Sequence, residues 1–428
     1  MRWFARLAML PSGLARNVLF EESDGRFTGV TPDSEPGEAA PLPGVVLPGL
    51  ANCHSHAFHR ALRGRTHDRG GSFWTWRETM YEVAARLDPE SYYTLARAVY
   101  AEMALAGITS VGEFHYLHQA PGGRGYDDPN AMGVALIAAA HDAGIRLTLL
   151  DACYLTGGVA GEPLSDVQRR FSDGDVDAWG RRVAELHDAP GVRHGVAIHS
   201  VRAVPRAALP TVVAVADGRP VHVHVSEQPA ENEACLATCG LTPTQLLGEA
   251  GALGPTTTAV HAVHLDNADI DLLAAAGTTV CICPATEHDL ADGIAPAAEL
   301  RAAGVPLSLG SDQHVVIDLF REAQLLEGDQ RAGWLQRGRF SPAQLGTAMT
   351  AHASLGWADA GRLEVGARAD LVAVRLDTVR TAGIDASQVV LAASAADVDT
   401  VVVDGTEIVR GGEHRLGDVG ELLMEVLT

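Results

Sequence analysis

The stretch Val45-Val46-Leu47-Pro48-Gly49-Leu50-Ala51-Asn52-Cys53-His54-Ser55-His56 decides the fold of this chain. It joins an apolar, β-branched run to two histidines that stand two residues apart. Alternate side chains of a strand point to the same side, so we expect His54 and His56 to face one ligand together. Two imidazoles on one face can chelate a metal ion such as Zn²⁺ or Fe²⁺. The stretch therefore predicts a metal site at the end of the first strand of an α/β domain.

Outward from that stretch, apolar strand candidates alternate with helical patterns. The strand candidates are Val45–Leu47, Ile108–Phe114, Leu147–Tyr154, Gly195–His199, Val221–Ser226, Thr257–His261, Thr279–Cys283 and Leu307–Gly310. The helical patterns include Tyr92–Ala106, Ala131–Ala143, Val176–Asp188, Asp269–Ala276 and Pro296–Ala303. Apolar strands that alternate with helices indicate a parallel sheet with both faces covered. Eight such units predict a distorted (β/α)8 barrel of the TIM type.

The two ends of the chain depart from this alternation. Residues 1–45 carry short strand-like pieces broken by Pro and Gly, and residues 361–428 carry strand patterns with an Asp404-Gly405 turn. Neither end is long enough for a core of its own. We therefore expect one small β-sandwich domain built from residues 1–45 and 361–428, and a catalytic barrel that spans residues 46–360.

Composition and charge restrict the classes of function. The chain has 428 residues, of which 47% are hydrophobic, and a formal net charge of −22. Such a surface repels nucleic acid and anionic membranes, so we expect neither as a partner. The chain contains no Lys, so an anion-binding pocket must use Arg. No apolar run suits a membrane span, no signal peptide is recognisable, and none of the six Cys forms a CxxC pair. These features predict a cytoplasmic protein with reduced thiols.

Chemistry-bearing side chains stand at the ends of several strand candidates, where functional residues of a parallel barrel gather. One histidine at a strand end is commonly a hydrogen-bonded core residue, but several such ends carrying His, Glu or Asp indicate a metal and acid/base site. The residues concerned are His54, His56, His222, His224, Glu227, His261 and Asp312.

The residue types suggest a ligand set. His54, His56 and a histidine of the fifth strand offer neutral nitrogens, and Asp312 offers an oxygen. One coordination position remains for water, whose pKa falls to about 7 on Zn²⁺. His222 and His224 share one strand face, so spacing alone leaves open which of them is the ligand.

The same set suggests acid and base roles. Asp312 can accept a proton from the water, and Glu227 can carry a proton to a leaving nitrogen. His261 can donate a hydrogen bond that stabilises developing charge.

Taken together, the motifs resemble the amidohydrolase superfamily, deaminase branch, over essentially the whole chain. They are Pro48-Gly49-Leu50-x-x-x-His54-x-His56, His224-x-x-Glu227, His261, Gly310-Ser311-Asp312 and Ala369-Asp370-Leu371-Val372. The resemblance implies that His224 binds the metal, together with His54, His56 and Asp312. It further implies one divalent metal ion per subunit, Zn²⁺ in preference to Fe²⁺, and a homodimer.

The segments that follow resemble one group in this branch, the formimidoylglutamate deiminases of histidine degradation. They are Ala57–Gly64, Ser72–Tyr81, Glu113–Tyr116, His199–Arg202 and Cys283–Glu287. This resemblance implies hydrolysis of N-formimino-L-glutamate to N-formyl-L-glutamate and ammonia. It also implies that Arg77, Tyr116, His199 and Arg202 bind the substrate. We assign a binding role to His59 as well, although Gln is expected at that position.

The charges support a small dianionic substrate, because Arg77 and Arg202 offer planar forks for two carboxylates. The alternative for Arg77 is a surface position over Trp74 or Trp76.

Three other functions remain as alternatives. One is a related deaminase of a purine or adenosyl thioether, which the 5% aromatic content disfavours. Another is a hydrolase of N-acyl amino acids. The last is an inactive binding protein, which the complete set of catalytic residue types disfavours.

Overall fold

The computed structural model describes residues 1–67, 71 and 73–427, so Ser72 of the segment quoted above lies outside the described residues. The strands are β1 Arg2–Leu10, β2 Gly13–Ser23, β3 Arg26–Thr31, β4 Ala40–Pro48, β5 Leu50–Ser55, β6 Ile108–His115, β7 Arg146–Cys153, β8 Val192–Ile198, β9 Val221–Val225, β10 Thr257–His261, β11 Thr279–Ile282, β12 Leu307–Leu309, β13 Leu371–Val374, β14 Val398–Val403, β15 Thr406–Arg410 and β16 Glu413–His414. The α-helices are α1 Phe73–Ala84, α2 Pro89–Leu105, α3 Ala131–Ala143, α4 Val176–Val183, α5 Leu209–Ala216, α6 Pro229–Cys239, α7 Pro243–Glu249, α8 Asn267–Ala276, α9 Pro284–Asp289, α10 Ala297–Ala302, α11 Leu319–Trp334, α12 Pro342–Met349 and α13 Val419–Leu427.

Local signals explain where several helices begin and end. The Asp88 side chain accepts a hydrogen bond from Ser91 N at 2.9 Å, and Pro89 occupies the first turn of α2. Helix α3 ends at Gly144, whose φ of +84° is a left-handed conformation that glycine adopts without strain. None of the helices in the described ranges combines the length and the apolar character that a membrane span requires.

Strands β5 to β12 form one parallel sheet in sequential order, which confirms the predicted eight-stranded barrel. The barrel closes between β5 and the segment after β12. Ser311 N and Asp312 N donate to His54 O at 3.1 and 3.0 Å, and His56 N donates to Asp312 O at 3.2 Å. Closure therefore brings the two histidines of the first barrel strand next to the aspartate that follows the eighth.

The two chain ends build a second sheet of eight strands, ordered β16-β15-β14-β13-β4-β1-β2-β3, as the fold prediction required. Strand β4 is parallel to β1 and antiparallel to β13, so it joins the two ends. Trp3, Phe20, Phe27 and Leu371 lie in the buried core of this sheet. Because each end contributes only part of that core, neither end could bury it alone.

The first strand prediction was wrong. Val45–Leu47 belongs to β4 of the mixed sheet, and the first barrel strand is Leu50–Ser55. The chain passes between the two sheets at Gly49, where a Cβ would stand 2.4 Å from Thr109 Oγ1 and 2.9 Å from Asp370 Cβ. The apolar run is continuous across this point, so its period does not reveal where one strand ends and the next begins.

A buried ion pair holds the two sheets together. Arg146 Nη1 of β7 donates to Asp370 Oδ1 at 2.9 Å and to Asp404 Oδ1 at 3.0 Å. Asp370 directly precedes β13, and both Arg146 and Asp370 are about 1% exposed. The late Ala369-Asp370-Leu371-Val372 motif thus supplies the charge that pairs with a barrel arginine.

Candidate active site

Four of the predicted side chains converge at the carboxyl end of the barrel. His54 Nε2 lies 3.1 Å from His224 Nε2 and 3.3 Å from Asp312 Oδ1. His56 Nε2 lies 3.4 Å from Asp312 Oδ1, and all four residues are buried. Ligands of a tetrahedral ion bound at 2.0–2.1 Å stand about 3.3 Å apart. The donor types and these three separations therefore fit ligands of one divalent metal ion.

The orientation of the imidazoles suits this role. His56 Nδ1 donates to Phe114 O at 2.9 Å, and His224 Nδ1 donates to His199 O at 2.8 Å. Each bond places the proton on Nδ1 and leaves the Nε2 lone pair directed at the cluster. Burial lowers the pKa of His54 to about 3 and also lowers the pKa values of His56 and His224. The three rings are consequently neutral at pH 7, as metal ligands must be.

The structure separates the two histidines that spacing leaves equivalent. His222 Nε2 donates to Ser354 O at 3.1 Å, whereas His224 lies beside His54. Both side chains point to the same face of β9, but His222 stands one layer deeper, against the 3₁₀ segment His352–Leu355 that carries Ser354. Only His224 reaches the cluster of His54 and Asp312.

Acidic groups surround His261. Its Nε2 lies 3.7 Å from Glu227 Oε1 and 4.0 Å from Asp312 Oδ2, and its Nδ1 lies 3.5 Å from Glu287 Oε1. Although burial opposes a charge on the ring, the Glu227 carboxylate, the hydrogen bond with Glu287 and the Asp312 charge raise the pKa of His261 well above its usual value. Sequence reasoning assigned no role to Glu287, although its position in the first turn after β11 was a usable signal.

The pKa of Asp312 is shifted in the opposite direction. Burial alone would raise its pKa, but the hydrogen bond with His54 and the neighbouring imidazoles hold the pKa of Asp312 well below the usual range for a carboxyl. The group is therefore a carboxylate at neutral pH, ready to bind a cation or accept a proton.

Several of these residues have left-handed backbones. The φ angles of Ser226, His261 and Asp312 are +49°, +69° and +41°. This conformation costs free energy for a residue other than glycine, and such backbone strain concentrates at functional sites. Here the chain turns sharply at the ends of these strands, and the side chains of His261 and Asp312 line one cavity.

All five predicted substrate-binding residues line that cavity. Its volume is about 70 Å³. These five residues and the candidate metal and acid/base residues on its walls are Arg77, Tyr116, His199, Arg202, His59, His56, His224, Glu227, His261 and Asp312. Of the candidate residues, His54 and His222 do not line the cavity.

The two arginines differ in their surroundings. The guanidinium of Arg77 stacks over the Trp74 ring at 4.5 Å, and no ion pair to it occurs within the described residues. Arg202 Nη2 lies 3.4 Å from Glu227 Oε2, and its Nε lies 3.8 Å from Glu231 Oε1. The cation–π contact weighed as an alternative for Arg77 is present, and it holds the guanidinium at the cavity wall.

His59 acts on a neighbour as well as on the cavity. Its Nε2 lies 2.8 Å from Tyr116 Oη, and Tyr116 Oη lies 3.6 Å from Met80 Sδ. Burial and the nearby His56 lower the pKa of His59 well below its usual value, so the ring is neutral. A neutral His59 holds the hydroxyl of Tyr116 in place without adding charge to the site.

Aromatic rings line much of the cavity, which corrects an argument from composition. The low aromatic content disfavoured planar substrates, yet many of the few aromatic residues are concentrated here. A percentage averaged over 428 residues does not constrain one pocket. The rings on the walls are Phe73, Trp76, Tyr81, Tyr116, Tyr154 and Phe171.

Comparisons with known proteins agree with this geometry. The family model described as "Amidohydrolase family" matches residues 45–408. The chain is 39% identical to formimidoylglutamate deiminase of Pseudomonas aeruginosa, over 96% of this chain and 95% of that protein. A crystal structure of an amidohydrolase from Brucella melitensis has a TM-score of 0.91 and 32% identity, and the match covers 100% of this chain and 98% of that one.

A second solved structure adds a metal. The adenosine deaminase from Xanthomonas campestris with bound zinc has a TM-score of 0.85 and 26% identity, over 99% of this chain and 96% of that one. The chain described here belongs to the amidohydrolase family. It is a metal-dependent hydrolase that acts on a carbon–nitrogen bond.

Proposed function

We propose that this amidohydrolase hydrolyses N-formimino-L-glutamate to N-formyl-L-glutamate and ammonia. The observation that carries the proposal is the presence of two guanidinium groups, Arg77 and Arg202, in the cavity of the candidate metal site. In a protein of net charge −22, such a pair is a local exception that suits a substrate with two carboxylates. The similarity to a formimidoylglutamate deiminase over nearly the whole chain supports the same substrate.

In this proposal His54, His56, His224 and Asp312 would hold one zinc ion per subunit. Such an ion would lower the pKa of a bound water molecule, to near 7 in comparable sites, and would so provide the nucleophile. The zinc in the Xanthomonas campestris structure supports this choice of metal.

The residues of the chain manage the protons. Asp312 accepts the proton of the water as its oxygen bonds to the formimino carbon. Glu227 delivers that proton to the imino nitrogen, which becomes an amino group. The proton of the new hydroxyl then passes to the same nitrogen, so the carbon–oxygen double bond forms, the carbon–nitrogen bond breaks and ammonia leaves. His261, 3.7 Å from Glu227 and 4.0 Å from Asp312, stabilises the charge that develops between them.

The remaining residues orient the substrate. Arg77 has no ion-pair partner within the described residues and can bind both oxygens of one substrate carboxylate. Arg202 binds the other carboxylate while its contact with Glu227 keeps that proton carrier in place. Tyr116, held by His59, and His199 add hydrogen-bond donors on the same wall.

The aromatic walls favour a second candidate function. Rings such as Phe73, Trp76 and Tyr81 can pack against a flat heterocycle, as in the deamination of a purine or an adenosyl thioether. This alternative provides no anion for the Arg77 guanidinium, which has no ion-pair partner among the described residues, so we rank it second.

The test is ammonia release by the zinc-loaded protein, compared for N-formimino-L-glutamate, adenosine and methylthioadenosine. We expect kcat/KM above about 10⁴ M⁻¹s⁻¹ for the first and at least a hundredfold less for the others, since physiological substrates lie in that range. A zinc-loaded protein that prefers either nucleoside would overturn the proposed substrate.

The role of Glu227 has its own variant. Glu227→Gln should keep the metal content and reduce kcat by about a thousandfold, because general acid–base groups contribute 10²–10⁴. A rate near that of the unchanged enzyme would show that another group carries the proton.

A further inference from the structure

Tyr154 is a cavity residue to which neither motif nor resemblance assigns a role. It directly follows β7, at the carboxyl end of the third barrel strand, and its exposed fraction is 7%. Its ring centroid lies 4.5 Å from that of His199, and it shares the cavity with Arg77 and Arg202. It therefore stands among the residues proposed to bind the substrate.

The backbone after Tyr154 is tied to the segment that carries Arg202. Leu155 N and Thr156 N both donate to Ala203 O, at 2.7 and 3.0 Å, and Thr156 Oγ1 donates to Arg202 O at 3.1 Å. These three hydrogen bonds fix the position of Tyr154 relative to Arg202 at the same end of the barrel.

Gln168 sets the direction of the hydrogen bond to the Tyr154 hydroxyl. Ser165 N donates to Gln168 Oε1 at 2.9 Å, which identifies that atom as the amide oxygen. The amide nitrogen, Gln168 Nε2, then donates to Tyr154 Oη at 2.8 Å. The tyrosine oxygen is an acceptor in this bond, so its own proton is not used.

That proton has no acceptor in the described part of the chain. Burial raises the pKa of Tyr154, so the hydroxyl stays protonated and retains its donor. A donor at the cavity wall without a protein acceptor can donate to a ligand acceptor instead. A carboxylate oxygen is such an acceptor, whereas the N–H groups of a formimino substituent are donors.

We propose that Tyr154 donates a hydrogen bond to a carboxylate of the substrate, and that Gln168 is a positioning residue which directs the tyrosine proton into the cavity. The inference rests on the proposed function, because it takes a substrate with two carboxylates. It adds a neutral donor to the two guanidinium groups and so raises the preference for a carboxylate over an uncharged group.

The test uses the zinc-loaded full chain and two readouts. One is steady-state kinetics with N-formimino-L-glutamate, and the other is the inhibition constant of glutarate, a dianion that lacks the formimino group. Tyr154→Phe should raise both KM and the glutarate inhibition constant by about 10- to 100-fold, since hydrogen bonds to charged groups contribute 1.5–3 kcal/mol. Its kcat and zinc content should stay within about twofold, because Tyr154 is assigned no proton to transfer.

Two substitutions of Gln168 separate direction from packing. Gln168→Glu offers a second acceptor, which withdraws the Tyr154 proton from the cavity, so it should raise KM and the glutarate constant as Tyr154→Phe does. Gln168→Met removes the amide without offering an acceptor, so the proton stays available but its direction is no longer fixed, and both constants should rise by about three- to tenfold, less than in Gln168→Glu. Gln168→Glu also adds a charge, whose direct effect is measured by repeating it in the Tyr154→Phe background. In that background, Gln168→Glu should raise KM and the glutarate inhibition constant by less than about a further threefold.

Three outcomes would overturn the inference alone: a Tyr154→Phe enzyme with unchanged constants, a Gln168→Glu enzyme as active as Gln168→Met, or an equal effect of Gln168→Glu in both backgrounds. Absence of turnover and of glutarate inhibition in the unchanged zinc-loaded protein would instead overturn the proposed function together with the inference.

Discussion

Two buried clusters of two histidines and one aspartate stand at the carboxyl ends of the barrel strands. The first, His54, His56 and Asp312, forms the proposed metal cluster together with His224; the second is His115, His118 and Asp151. In each, the candidate ligand atoms lie within 4.8 Å of one another. Residue types and burial are the same, so neither explains why only the first is suited to a metal.

Charge and protons distinguish the two clusters. Arg182 donates to both oxygens of Asp151 at 2.7 and 2.8 Å, and Trp179 Nε1 donates to Asp151 Oδ1 at 3.0 Å. His118 Nε2 donates to Ala152 O at 2.9 Å, and its Nδ1 lies 3.3 Å from His115 Nε2, which can donate to it. The second cluster is therefore neutralised and hydrogen-bonded internally.

The proposed metal cluster has the opposite arrangement of protons and lone pairs. Its imidazole protons on His56 and His224 are donated outward to backbone carbonyls, and its lone pairs face Asp312 beside an open cavity. A metal site thus needs lone pairs without protons and a carboxylate without an arginine, and ligand types alone do not ensure either.

The largest expected effect distinguishes the clusters by metal content. The unchanged protein should bind one zinc ion per chain, and His54→Ala should bind none and lose at least about 10⁴-fold in kcat/KM, since the metal supplies the nucleophile. His118→Gln, which keeps a donor for Ala152 O, should retain one ion and most of the activity. Elemental analysis of dialysed protein decides this, and a metal-free His118→Gln protein would reverse the assignment of the clusters.

Removal of Arg182 should have the next largest effect. Arg182→Met leaves the Asp151 carboxylate buried without its partner, which typically costs 3–5 kcal/mol of unfolding free energy. Urea unfolding measures the loss, and Arg182→Met combined with Asp151→Asn should recover part of it. A second equivalent of zinc in Arg182→Met would show that this arginine alone excludes the ion, whereas unchanged stability would contradict the pairing argument.

Acid sensitivity should arise from histidines that hold no metal. Burial and the Arg146 charge lower the pKa of His352 from 6.5 to about 4. Between these pH values His352 is protonated in the unfolded chain but not in the native state. The free energy of unfolding is therefore undiminished above pH 6.5 and falls as the pH decreases towards 4. The expected loss from this group is about 3 kcal/mol.

Urea unfolding of the metal-free protein at pH 7.5, 5.5 and 4.5 measures this slope. His352 Nε2 donates to Gly49 O at 2.8 Å, and His352→Gln preserves a donor but cannot titrate, so its slope should be smaller. An equal slope in both proteins would assign the acid sensitivity to other groups.

The smallest effect concerns His222, the neighbour of His224 on β9. His222→Phe keeps the ring volume but leaves Ser354 O without its donor, so unfolding free energy should fall by about 1–2 kcal/mol, with kcat/KM within about threefold. The matched change His224→Phe should abolish zinc binding. Loss of zinc in His222→Phe would mean that both histidines support the metal.

Much of the site follows from the sequence because strand ends meet in a parallel barrel. The His-x-His pair, the His-x-x-Glu motif, His261 and Asp312 converge as expected. The choice between His222 and His224 did not follow, because a period of two places both on one face and only depth along the barrel separates them. The misplaced strand Val45–Leu47 has a similar cause, since one apolar run serves two sheets.

By itself, the sequence determined the barrel, the second sheet from both chain ends and the residue types that meet at the rim. These depend on patterns along the chain, namely apolar periodicity and spacing, which any backbone of that topology must satisfy. Only the tertiary structure decided which lone pairs are free, which carboxylate is neutralised, and where the Tyr154 proton points. Those properties depend on hydrogen bonds between residues that are distant in sequence, and their partners become known only when the chain is folded.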